Sequence, residues 1–68
     1  MNEETFNMET RKFLKKVGVT GQREIEKAVR AALENGTLKG DETIKTSVVL
    51  RIPELGTEVE IDGAIELE

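Results

Sequence analysis

Sixty-eight residues without a cysteine or a histidine exclude a disulfide scaffold, a thiolate metal site, and the imidazole that usually ligates metals or shuttles protons near neutral pH. A chain of this length buries only about 60% of the surface its unfolded form exposes, so stability has to come from well-ordered packing or from self-association. The net charge of −4 is unevenly spread, with seven Lys/Arg against six Asp/Glu in residues 1–34 and three against eight in residues 35–68. That balance argues against generic nucleic-acid binding, because neutralising phosphates supplies most non-specific affinity.

The opening MNEETFNMETRK has no apolar centre and does not read as a signal peptide. No apolar run approaches a membrane span, so the expected compartment is the cytoplasm, with no membrane partner. A first helix is expected from about Glu3 to Val17. Asn2 can cap it, and Glu3 and Glu4 suit the positive end of its dipole. At about 100° per residue, Phe6, Thr10, Phe13, Leu14 and Val17 share one arc, while Met8 lies off it. Both phenylalanines are assigned to the core. Gly18 supplies a left-handed stop with Val19 folding back.

A second helix is expected from Gly21 to Glu34, capped by Thr20 and carrying the apolar stripe Ile25, Ala28, Val29, Ala32, Leu33. Glu26–Arg30 and Arg30–Glu34 are favourable pairs four apart. Asn35-Gly36 ends this helix, Leu38 can cover its end, and Lys39–Glu42 forms a loop.

Two strands follow, about 43–52 and 57–66, joined by Pro53-Glu54-Leu55-Gly56. Proline keeps Ile52 extended. If Ile52 opposes Thr57, Leu50 meets Val59, Val48 meets Ile61 and Ile44 meets Ile65. On the outer face Arg51 then meets Glu58 and Ser47 meets Asp62. This register places apolar against apolar and pairs opposite charges. Asp62-Gly63 also permits a tight turn and a third strand. That turn would put Ile65 on the face opposite Ile61, so one long strand with a bulge or kink at Gly63 is preferred. Leu67-Glu68 has the look of a cloning remnant and is given little weight.

The expected fold is a single small α+β domain of order ααββ, two helices packed on one face of a two-stranded antiparallel hairpin. Covering helices are needed because an isolated hairpin is marginal.

Several stretches invite a functional reading. VGVTGQREIEKAV, residues 17–29, has the outline of a DNA-binding helix-turn-helix. However, Leu14 stands where a small residue is usual, and Glu24 where an aliphatic one is. The outward side would alternate Arg23, Glu26, Lys27, Arg30 and Glu34, and glutamates on a recognition surface repel phosphates. A structural corner is preferred. Arg11, Lys12, Lys15 and Lys16 form a compact basic face, the candidate interaction face, able to receive an acidic segment or a phosphate. The bland alternative is that these cations complement the negative end of the first helix. Glu58, Glu60, Asp62 and Glu66 share one strand face, without calcium-loop spacing or pocket walls. No His or Cys stands ready to activate a threonine or serine, and the Gly-Lys-Ser/Thr ending of a phosphate loop is missing. No catalytic residue, metal ligand or cofactor is therefore assigned.

MNEETFN, RKFLKKVGVTGQREIEKAV, LKGDET and IPELG together resemble a family of short bacterial proteins of unknown function. The resemblance spans nearly the whole chain. It implies a bacterial, cytoplasmic protein and carries no activity or site residue across. The function expected from the residues is a non-enzymatic protein–protein interaction module with an unknown protein partner or as a homodimer. A nucleic-acid-binding helix-turn-helix protein is the alternative.

Overall fold

The computed structural model describes residues 1–68 as two compact units, Met1–Thr37 and Leu38–Glu68. The first unit is one α-helix, α1, running from Glu3 to Glu34 over 32 residues. The second is a hairpin of β1 (Thr43–Ile52) and β2 (Thr57–Glu66), joined by a single 3-10 turn at Pro53–Leu55. The architecture is α+β, but the expected pair of helices is corrected to one.

Asn2 caps α1 as its position suggests: its side-chain oxygen accepts the Thr5 amide at 3.1 Å, with Glu3 and Glu4 in the first turn. The break expected at Gly18–Thr20 does not occur. Neither Gly18 nor Gly21 has a positive φ, and no left-handed stop or Thr20 cap forms. The physical reason is the phase of the apolar residues. Val17, Gly21 and Ile25 stand four apart, so an uninterrupted helix carries one stripe from Phe6 through to Ala32. Two interior glycines cost about 1 kcal/mol each relative to alanine. A corner would instead orphan up to four amides and four carbonyls at two new ends, with no buried contact to offset them. The helix ends where expected. Asn35 donates its amide to the Ala31 carbonyl at 3.0 Å, Gly36 takes φ 83°, and the Asn35 side chain accepts from Thr37. Glu26–Arg30 forms at 3.8 Å, and Gln22 donates to Glu26; the second expected pair, Arg30–Glu34, is not made.

Glu42 organises the loop ahead of β1. Its carboxylate accepts the amides of Lys39 and Gly40 at 2.9 Å each. Those backbone bonds hold its pKa below the ordinary value of 4.5.

The hairpin follows the predicted register throughout: Ile52↔Thr57, Leu50↔Val59, Val48↔Ile61 and Ile44↔Ile65 on one face, Arg51↔Glu58 and Ser47↔Asp62 on the other. Gly56 closes the turn at φ 63°, the left-handed geometry that makes glycine the natural residue there. Arg51 donates to Glu58 at 2.6 Å. No bulge forms at Gly63, which pairs directly with Thr46, and no third strand follows Asp62. Leu67 is half-buried, and its amide reaches the Glu42 carbonyl at 3.0 Å, extending the ladder past β2. It therefore belongs to the hairpin despite its look of a remnant.

Neither unit contains a buried residue. Within α1 itself Phe6 and Phe13, both assigned to the core, stand 57% and 56% exposed.

Candidate functional site

Arg11, Lys12, Lys15 and Lys16 lie in the N-terminal half of α1, more than four turns from its C-terminus. The last turn holds no basic residue, so complementing the negative helix end cannot account for the cluster. All four side chains are exposed and none is in an ion pair. Arg11–Lys15 and Lys12–Lys16 are like-charged pairs four apart, each costing an isolated helix a few tenths of a kcal/mol. The helix carries this repulsion with nothing in its own unit to neutralise it. N-terminal to the cluster lies an acidic block, Glu3, Glu4 and Glu9, also exposed and unpaired.

The opposite side of the same segment is apolar. Phe6, Phe13 and Leu14 are all exposed, Leu14 at 48%. Further along, Val17, Ile25, Val29 and Ala32 are half-buried. The stripe is thus most open over its first three turns, on the stretch that carries the two charge blocks. Thr10 lies at the centre of this open part. Its hydroxyl donates to the Phe6 carbonyl at 2.8 Å, so its polar atom is already satisfied.

The family profile for a family of unknown function, DUF6494, matches residues 1–68. The chain belongs to that family. Comparison with curated proteins gives no match. Comparison with solved structures gives none either. The family match runs through α1, β1 and β2, so helix and hairpin are both part of what the family shares.

The other predicted features are placed as follows. Residues 17–29 lie wholly inside α1, so the turn of a helix-turn-helix is absent and that outline is corrected to a continuous helix. A shallow hollow of about 300 Å³ lies on that stretch beside Val19, Gln22, Arg23 and Glu26. Glu58, Glu60, Asp62 and Glu66 do share the outer face of β2, where Glu58 is tied to Arg51. No group of three or more Asp or Glu side chains is placed to hold a metal ion. On the hairpin's other face, a hollow of about 260 Å³ opens around Gly63, lined by Val48, Ile61 and Ile65 among others. No helix is long and apolar enough to cross a membrane.

Sequence reasoning located the cations but missed the open apolar surface behind them. The same periodicity that marks Phe6, Phe13 and Leu14 as core also marks a surface awaiting another molecule. A helical stripe states which side avoids water and does not say what covers it.

Proposed function

We propose that this chain is a non-enzymatic protein–protein interaction module of the bacterial cytoplasm, and that self-association is how it is completed. The observation that carries this reading is the exposure of thirteen large apolar side chains in a chain with no buried residue. A two-stranded hairpin and a single helix are each marginal in water until an apolar face is covered. Covering those faces by association is therefore the physically economical way to stability. Light scattering over a range of concentrations tests it, alongside retention of proteins from a native lysate. Mass rising with concentration supports the reading. A strict monomer that retains nothing overturns it.

A second reading is nucleic-acid binding through Arg11, Lys12, Lys15 and Lys16, favoured by their exposure without a partner. It is disfavoured by the net charge of −4. It expects salt-sensitive binding of duplex DNA that weakens when Lys12 and Lys16 become glutamate. A flat gel-shift titration at low salt removes it.

A further inference from the structure

We infer that the hairpin self-associates through the open edge of β1, which pairs antiparallel with β1 of a second copy about a two-fold axis at Ser47. The product is a four-stranded sheet. This rests on the self-association reading above and specifies its edge and register.

The hydrogen-bond phase of the hairpin shows what that edge offers. Leu67 donates its amide to the carbonyl of Glu42, the residue directly opposite it when the ladder is continued past Thr43↔Glu66. In an antiparallel ladder, opposed pairs that share such bonds alternate with pairs that do not. The even-numbered residues of β1 therefore bond to β2, and Thr43, Lys45, Ser47, Val49 and Arg51 aim their amides and carbonyls away from it. No other backbone group takes these up, and all five residues are exposed. The strand is ten residues long, with no proline and no bulge within it. A long edge of this kind is a template for another strand.

Charge selects between the two edges. On β2 the corresponding residues are Glu58, Glu60, Asp62, Ala64 and Glu66, so two copies of β2 side by side set acid against acid. The same row of β1 holds two cations, and Arg51 is already bonded to Glu58 of its own hairpin. Pairing β1 with β2 of another copy would match opposite charges, but it leaves one edge of each kind open and adds copies without closing. A β1 pair closes. Both edges that remain are acidic β2, and their acids repel the β2 of any further copy.

The register follows from the same rule. Keeping the apolar row on one side and using most of the strand leaves an axis at Ser47 or at Val48. At Val48, Lys45 of each copy would face Arg51 of the other. At Ser47, Lys45 faces Val49 and Thr43 faces Arg51 on the outer side, while Ile44 faces Leu50 and Thr46 faces Val48 on the apolar side. Those apolar pairs fall at the positions without hydrogen bonds, where opposed side chains come closest. The outward residues of the two strands exchange about ten backbone bonds. Four strands also pass the size below which a hairpin is marginal. A contact one strand deep is small beside the roughly 1,200 Å² of a lasting interface, so the dissociation constant is on the order of micromolar or higher.

Sedimentation equilibrium of the full chain, with a proline placed on either edge, tests which edge is used. Ser47 and Asp62 are cross-strand partners whose amides both point out of the hairpin, so Ser47→Pro and Asp62→Pro each spare its internal ladder. Ser47→Pro is expected to weaken association about tenfold or more, and Asp62→Pro to leave it unchanged. Hydrogen exchange on the unaltered chain gives the same answer should the proline unfold the strand. The amides of Lys45 and Val49 are expected to slow as concentration rises. Ser47→Cys tests the register in a chain that has no other cysteine. Its Cα stands about 5.5 Å from that of its copy, within disulfide reach, whereas the Cα of Val49→Cys stands about 14 Å from its own. Mild oxidation is expected to cross-link the first variant and not the second. A monomer at every concentration overturns both this inference and the self-association reading. Association that Asp62→Pro weakens, Lys45 and Val49 amides indifferent to concentration, growth beyond a dimer, or a Ser47→Cys chain that fails to cross-link overturns this inference, while self-association through another surface, such as α1, stands.

Discussion

Between Glu3 and Glu34 each main-chain hydrogen bond is local, reaching one helical turn, whereas the hairpin ties residues as far apart as Thr43 and Glu66. The two units also differ in charge. The helix holds seven of the ten cations, and the hairpin with its leading loop holds eight of the fourteen acids. What this difference teaches is where a single residue has leverage. In the helix, continuity is decided one position at a time, so one substitution can cut it. In the hairpin, ten cross-strand pairs vote for the same register and a change at any one is outvoted.

Gly18→Pro breaks the comparison hardest. Proline removes the amide bonded to Leu14 and clashes with the preceding turn, at a cost of about 3 kcal/mol or more. Helical ellipticity at 222 nm should fall substantially. A variant that kept it in full would mean the helix is already interrupted there.

Next comes the pair Gly18→Ala and Gly21→Ala. A Cβ at either position meets nothing within 4 Å, and neither glycine has a positive φ. Each change is expected to stabilise α1 by about 1 kcal/mol. Thermal melts should move upward in both. Had Gly18 been a left-handed helix stop, Gly18→Ala would destabilise, so the sign of this one shift separates one helix from two.

Gly63→Val acts on the hairpin with a smaller effect. Gly63 also has open space at its Cβ and stands opposite Thr46 beside a hollow lined by Val48 and Ile61. Replacing a flexible residue by a β-branched one should stabilise the strand pair by about 0.5–1 kcal/mol. Slower amide exchange at Thr46 and Ser47 would show it, and faster exchange would mean the ladder is bulged at Gly63 after all.

The smallest effect is confined to the loop ahead of β1. Glu42 has a lowered pKa in the folded chain, so its contribution is complete above its ordinary 4.5 and is lost as the pH falls through the lowered value. The amide shifts of Lys39 and Gly40 should titrate in that acidic window. In Glu42→Gln they should not, and a titration that persisted would assign it to another carboxylate.

Most of the hairpin was legible in advance. Alternation in TIKTSVVLRI and TEVEIDGAIE, the proline after Ile52 and the glycine before Thr57 leave one register that keeps apolar residues together. The helix ends were legible too, because Asn2 and Asn35-Gly36 have specific capping chemistry. The middle of the helix was not. Glycine permits a turn without requiring one, and Val-Gly-Val-Thr-Gly reads equally as a corner or as two tolerated weak points. The candidate face was half legible. Lysines and arginines at helical spacing announce themselves, but whether Phe6 and Phe13 are interior depends on what lies against them.

From its residues alone this protein could be assigned its caps, its strand partners and the position of its cations, all of which follow from short-range stereochemistry and a two-residue period. Only the folded arrangement decided that α1 runs unbroken past Gly18 and that its first three turns keep an open apolar side. Both outcomes depend on burial. A corner and a core each require another surface to press against, and local sequence carries no record of whether one is there.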